Sequence, residues 1–198
     1  MLFDDKVMCP AHSAGFSVVS GAPESAPGLD GIPTFPVFEK EGKFFVEVPA
    51  GKLPGSVPQP LSKRDPLNTK NYVIIGGGAA GLNAAETLRQ SGYTGQITLI
   101  CREASIPYDR TLITKALAVG DSSKWSLRPE EYLKNADIEY KLKSSAFNIN
   151  TEKSEVVLTS GEHIHYDKLL IATGSTVVKP DIPGINSKGV HIVRTNLD

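Results

Sequence analysis

The sequence is poor in cysteine: Cys9 and Cys101 are the only two among 198 residues. Two cysteines so far apart make no disulfide framework, which removes any sign of a cross-linked secreted domain. Long apolar runs are missing as well. None approaches the ~18 residues that a membrane-spanning helix needs. Charge of one sign is also lacking. The net charge is -1, so there is no basic footprint for nucleic acid and no acidic tail that would resist folding. Residues 1–6 carry acids and lack the apolar stretch of a secretory signal. They also lack the Arg-rich, acid-poor character of a mitochondrial presequence, although a longer precursor would be free to carry one. No internal repeat is visible. What remains is a chain with 40% apolar residues, an ordinary share for burying a core. Its length suits one large or two small domains.

Composition changes twice along the chain. Residues 1–48 are rich in Gly, Pro and aromatics with short apolar runs, which predicts small antiparallel strands. In 43–48, Phe44, Val46 and Val48 share one face by the period of two. This stretch follows 34–39 across Lys40-Glu41-Gly42, so a hairpin is expected, with Pro36 at an edge or at its start. Residues 49–70 hold five prolines and almost no apolar periodicity, which predicts a semi-extended linker or a long loop. From residue 71 the pattern turns to strand, glycine loop, helix, strand. Strands are expected at 72–75 and 96–101, and between them a helix that runs to about Gln90 with Leu82, Ala85 and Leu88 on one face. Further helices are expected at 111–117 and 128–135. A hairpin over 154–166 should turn at Ser160-Gly161, before a buried strand at 168–172. His163 and His165 share a face of that hairpin and read as ordinary strand residues.

Gly76-Gly77-Gly78-Ala79-Ala80-Gly81 matches G-x-G-x-x-G where the motif has meaning, between a strand and a helix. Gly76 allows the tight turn, Gly78 lets a pyrophosphate approach the backbone, and Gly81 with Ala84 and Ala85 lets helix and sheet pack closely. The helix N-terminus then offers free N–H groups and a positive dipole end to phosphate. A dinucleotide site is the reading, against glycines gathered in a plain turn. The acid that would hold the ribose is less plain. Cys101 stands twenty residues past Gly81, and Glu103 follows two places later. Either Glu103 takes the ribose or that contact is missing. Arg102 is compatible with an NADP 2′-phosphate, though a surface arginine is the commoner explanation.

Two later segments carry a resemblance. Ile106-Pro107-Tyr108-Asp109-Arg110, followed by Lys115, resembles the P-Y-x-R-P-x-L-S-K segment of ferredoxin-reductase-type flavoproteins. The pattern is broken here by Thr111 and by Ile113-Thr114. The resemblance implies that Arg110 and Lys115 lie along a flavin and its phosphates, where a cation stabilises the anionic reduced ring. Residues 166–174 resemble the apolar strand of the same proteins that ends in A-T-G. That implies that Ala172, Thr173 and Gly174 close on the FAD side of the sheet.

Cys9-Pro10-Ala11-His12, followed by Gly15-Phe16 and Ser20-Gly21, resembles the second ligand loop of a Rieske domain. In that domain C-x-H and C-x-x-H loops hold a [2Fe–2S] cluster. A zinc ligand pair and chance are the alternatives for a cysteine and histidine at this spacing. Ser13 replaces the usual glycine. Only eight residues precede Cys9, so the expectation is that Cys9 and His12 hold metal only if further ligands come from elsewhere.

Taken together, the order resembles the Rieske-containing, apoptosis-inducing-factor-like flavoproteins. The fold expected is an incomplete α/β Rossmann-like FAD-binding domain preceded by a small all-β Rieske-like segment. Its parts would be the C-terminal half of a Rieske-like domain over 1–48, the Pro-rich linker over 49–70, and the first stretch of an FAD-binding domain over 71–198. The family's FAD domain is assembled from two stretches, so the sheet is expected to lack a strand unless residues 190–194 fill the gap. The resemblance implies an NAD(P)H-dependent flavin oxidoreductase, with FAD as cofactor and a redox acceptor as partner. A mitochondrial or cytoplasmic location goes with it. The C-x-x-x-x-C dithiol of disulfide reductases is absent, which disfavours thiol chemistry. The second hypothesis is a degenerate, non-catalytic structural or assembly subunit of a larger complex with a partner chain.

Overall fold

Val73, Ile74 and Ile75 are apolar at consecutive positions, and a strand tolerates that only when both its faces are covered. The computed structural model describes residues 1–53, 55–116 and 122–198 and places these three inside a parallel sheet. The chain divides into two compact units, Met1–Pro60 and Leu61–Asp198.

In the second unit, β7 (Asn71–Ile75) leads through α1 (Ala79–Gln90) to β8 (Gln96–Ile100), close to the expected bounds. Two short helices follow, α2 (Leu112–Lys115) and α3 (Glu130–Asn135), with a 3-10 turn at Ser122–Trp125 between them. The expected helix from 111 covers less than its pattern, and Leu117 lies outside the described residues. The helix expected from 128 begins at Glu130 because Pro129 holds an extended ψ of 147° and disfavours a helical Arg128 before it. Next come β9 (Ile138–Lys141), β10 (Ala146–Asn150), β11 (Glu155–Leu158), β12 (His163–His165) and β13 (Lys168–Ile171).

Strands β13, β7, β8 and β9 form a sheet in that order, all parallel. Strands β10, β11 and β12 form a separate antiparallel sheet. The layers follow from strand parity. Ile74, Ile97 and Leu99 face Ala85 of α1, whereas Val73, Ile75 and Ile100 face Val156, Leu158 and Ile164 of the antiparallel sheet. A helix therefore covers one face of the parallel sheet and a small sheet covers the other. Strand β13 pairs with β7 alone among the described strands, and Leu170 and Ile171 stand 42% and 60% exposed on it. Residues 190–194 form no strand, so the alternative that they fill the gap in the sheet fails. Asp198 instead accepts from the N–H groups of Arg194 and Thr195 and folds that segment on itself.

Two buried cations hold this unit together. Arg89, in the last turn of α1, has no exposure at all. Its guanidinium donates to the carbonyls of Ala136, Tyr93, Gly95 and Asp137 at 2.7–2.9 Å. Arg128 makes a bidentate pair with Glu86 of α1 at 2.8 and 2.9 Å, and both are buried.

The first unit is antiparallel, as the short apolar runs predicted. Strands β1 (Leu2–Phe3), β2 (Lys6–Met8), β3 (Gly15–Ser17) and β4 (Pro23–Ser25) form one sheet. Strands β5 (Val37–Lys40) and β6 (Lys43–Val46) form the expected hairpin, with Pro36 just before its start. Its turn residues Glu41 and Gly42 both have positive φ, 55° and 70°, the requirement of the tight turn that matches strand twist. Phe38 and Phe45 stack with centroids 5.6 Å apart. Within the proline-rich stretch, Val57 bridges Gly31 of the first unit. Leu61 packs against the core of the second. Among the described residues, no helix is long and apolar enough to cross a membrane.

Candidate functional site

Strand order reverses at β7, which has β8 on one side, reached through α1, and β13 on the other. In open parallel sheets the crevice beyond the carboxyl ends of such strands is where ligands settle. A cleft of about 780 Å³ lies there, well within the range of cofactor pockets. Its floor is the glycine loop, and its walls carry Ala172, Thr173 and Gly174 after β13 and Glu103 after β8.

The glycines divide by role. Gly76 has φ +126°, and a Cβ there would meet the Ala172 carbonyl oxygen at 2.1 Å. Gly76 N–H donates to Ile100 O and Ala172 N–H to Ile75 O, so the ends of three strands are tied at this point. A Cβ at Gly81 would lie 1.9 Å from Gly76 O, and one at Gly77 would lie 2.3 Å from Cys101 Sγ. Gly78 differs: nothing stands within 4 Å of its Cβ position. It is the N-cap of α1 and brings no side-chain cap, so the first N–H groups of the helix have no intrahelical acceptor. Ala79 and Ala80 follow, exposed at the cleft. A backbone concavity with open space above it and a helix N-terminus below it fits a pyrophosphate.

Cys101 is 1% exposed, and burial pushes its thiol up to about 12, with the nearby Glu103 charge adding to the effect. It is therefore protonated at neutral pH and serves as packing beneath Gly77. A thiol-reactive disulfide dye at pH 8 is expected to label exposed Cys9 quickly and Cys101 only after denaturation. Two fast thiols in the folded protein would contradict this.

Glu103 Oε1 accepts from Arg110 Nη2, and Oε2 accepts from the Tyr108 hydroxyl, each at 2.5 Å. Both residues line the cleft with Arg102 and Arg194. Arg110 also donates to the Arg194 carbonyl, and the Arg194 guanidinium donates to Ser175 O just beyond Gly174. Hence Gly76, Gly78, Ala79, Ala80, Glu103, Arg110, Ala172, Thr173 and Gly174 converge on one cleft. Gly81 is buried beneath it. Lys115 does not join them; it ends α2, exposed. Arg194 was not legible beforehand: a lone arginine in a weakly apolar stretch gives no signal until the chain brings it back.

Cys9 and His12 sit on the loop between β2 and β3, both exposed. The loop is closed by Cys9 N–H to Ala14 O and by Ser13 N–H to Cys9 O. Ser13 takes φ +63° where a glycine would be unstrained. No group of three or more His, Cys, Asp or Glu suited to a metal ion occurs among the described residues.

Comparison with known proteins locates this architecture. The profile of the pyridine nucleotide-disulphide oxidoreductase family matches residues 70–197. Apoptosis-inducing factor 3 of Homo sapiens is 31% identical over 98% of this chain and 33% of its own length. Rhodocoxin reductase of Rhodococcus erythropolis is 38% identical, over 63% of this chain and 30% of its own. Among solved structures, a ferredoxin reductase from Rhodopseudomonas palustris is similar with a TM-score of 0.60 and 33% identity. That match covers 64% of this chain and 32% of the reductase. The chain thus spans about a third of the length of the curated relatives it matches.

Proposed function

The chain belongs to the pyridine nucleotide-disulphide oxidoreductase family, and on that premise we propose that its second unit is the first stretch of the FAD-binding domain of an NAD(P)H-dependent flavin oxidoreductase. It is a relative of the ferredoxin and rubredoxin reductases and of apoptosis-inducing factor 3. FAD is typical of that family. The observation that carries the reading is the open cleft over Gly78, set at the strand-order reversal and rimmed by Arg110, Arg194 and Glu103.

The loop N–H groups and the end of α1 would receive the pyrophosphate. Glu103 keeps lone pairs beyond those used by Arg110 and Tyr108, since a carboxylate has about four acceptor positions. These suit a ribose diol. Arg110 and Arg194 supply positive charge along the phosphates. When bound, FAD accepts a hydride and gives up electrons singly. Reductases with 29–35% identity carry partner names in their own descriptions, rubredoxin in one case and putidaredoxin in another. We extend that to this chain as electron delivery to an iron–sulfur centre. The similarity to apoptosis-inducing factor 3 runs through the first unit, where Cys9 and His12 would contribute two of the four cluster ligands. Lys115 would approach the flavin only if its segment moves toward the cleft.

A second reading, a non-catalytic structural or assembly subunit, draws on exposed Lys115 and on a Glu103 carboxylate already engaged at both oxygens. Titration of the 198-residue chain with FAD separates the two. Saturable quenching of flavin fluorescence is expected. At a hundredfold excess over Kd, binding would add about 2.7 kcal/mol of stability, visible as a rise in Tm. No quenching and no rise would favour the structural subunit.

A further inference from the structure

Tyr108 is 7% exposed, yet its hydroxyl meets three partners at the edge of the cleft. It donates to Glu103 Oε2 at 2.5 Å, accepts from Arg110 Nη1 at 3.0 Å, and accepts from the backbone N–H of Asn196 at 3.2 Å. One O–H proton and two lone pairs are all that a phenol has. The hydroxyl is fully used.

Each partner belongs to a different part of the site. Glu103 follows β8, Arg110 precedes α2, and Asn196 lies in the segment that also brings Arg194 to the cleft. Asn196 is held a second time, through Nδ2 to Ser105 Oγ at 3.0 Å. Glu103 and Arg110 have side chains only 23% and 31% exposed, and they touch each other directly through one contact, Oε1 to Nη2. A single ion-pair contact leaves the Glu103 carboxylate free to turn about it, and the phenol supplies its second fixed point. Arg110 is held besides by the Arg194 carbonyl, and for it the phenol is a third.

The ring holds its place without the hydroxyl. Tyr108 bridges Ser126, Asp109 N–H donates to Trp125 O, and Leu127 N–H donates to Pro107 O. The ring packs with Ile113 and Trp125. The Arg110 guanidinium lies 5.1 Å from its centroid.

We propose that Tyr108 is a positioning residue of the cofactor cleft: its hydroxyl fixes the Glu103 carboxylate and the Arg110 guanidinium for a ribose and the adjoining phosphate, and it holds residues 194–196 over them. This rests on the reading of the cleft as a dinucleotide site. Preorganised donors and acceptors bind more tightly because they pay less ordering entropy when the ligand arrives.

Tyr108→Phe in the 198-residue chain tests it by three measurements. FAD affinity should fall about tenfold, the scale of one charge-assisted hydrogen bond. Amide exchange at Asn196 should accelerate, and Tm should change by no more than about 3 °C, as for a loss near the mean of point mutants. In a Glu103→Ala background the same substitution should cost FAD affinity less than about threefold, because contacting residues are not additive. Wild-type affinity in Tyr108→Phe would overturn the proposal, as would an unchanged loss in the Glu103→Ala background. If the wild type binds no FAD, the cleft reading fails. Unchanged exchange at Asn196 would sink the hold on residues 194–196 by itself, whatever the flavin result.

Discussion

Arg89→Ala is expected to lower the stability of the Leu61–Asp198 unit by roughly 4 kcal/mol, enough to bring much of the chain out of solution. Arginine near the end of a helix usually faces water, where it complements the helix dipole for less than ~1 kcal/mol. Here it is fully buried and donates to four carbonyls. Those carbonyls come from the turn after α1, the entry to β8 and the turn before β9. Tyr93 O also accepts from the Ser62 hydroxyl, but the carbonyls of Ala136 and Gly95 lie outside the strands and helices and take this guanidinium as their buried donor. Removing it strands buried acceptors, at about 1–3 kcal/mol each where water cannot replace the donor, and opens a cavity besides. Burial lowers the Arg89 pKa, and the Asp137 charge opposes that shift. A guanidinium does not lose its proton inside a protein, so the cation persists at ordinary pH.

Arg89→Met separates packing from hydrogen bonding. It restores much of the volume and none of the donors, and it should recover only a minor part of the loss. Arg89→Lys should lie between, since an ammonium reaches fewer carbonyls than a planar fork. For a unit of this size ~4 kcal/mol corresponds to a fall in Tm of about 10 °C or more. A methionine variant that melts within ~1 °C of the wild type would show that the four carbonyls find other donors.

The contrast between Arg89 and Gly78 marks what was legible in the sequence. The glycine loop stood between a strand and a helix, and three features followed from local chemistry alone: a buried strand, a close approach, a helix start. Strands β7 and β8 and helix α1 appear within a residue or so of their expected ends. Strands β9 and β10 were not foreseen. Ile138-Glu139-Tyr140-Lys141 alternates, but it is short and charged, and its strand character comes from pairing with β8. In β10, Phe147 is 78% exposed and the register shifts between Ala146 and Asn148, so no clean period of two survives. Nothing in the sequence singles out Arg89, Glu86 and Arg128, because burial of a paired charge leaves no trace in composition. The convergence of Arg194 on Arg110 depends on contacts between positions remote in sequence. Such contacts carry no local signal.

Gly78→Val is expected to abolish FAD binding, by a hundredfold or more, while leaving the fold nearly as stable as before. The two halves of that expectation have separate grounds. A Cβ at Gly78 meets no atom within 4 Å, so the protein itself has room for the side chain. The residue has φ −92° and ψ −170°, extended backbone that valine adopts freely. Loss of glycine at an N-cap costs on the order of 1 kcal/mol, a few degrees of Tm at most. The same open space is where a pyrophosphate must approach the backbone, and a branched side chain would displace it by more than a hydrogen-bond length. Gly81→Ala supplies the opposite case. Its Cβ would lie 1.9 Å from the Gly76 carbonyl oxygen, so α1 would have to move off the sheet, and Tm should fall steeply whether or not flavin is present. Gly76→Ala should behave likewise, with both φ +126° and the Ala172 carbonyl against it. Melting without flavin and fluorescence titration with it, run on all three variants, resolve the two roles. A Gly78→Val protein that melts normally and still binds FAD with wild-type affinity would remove the glycine loop from the cofactor site.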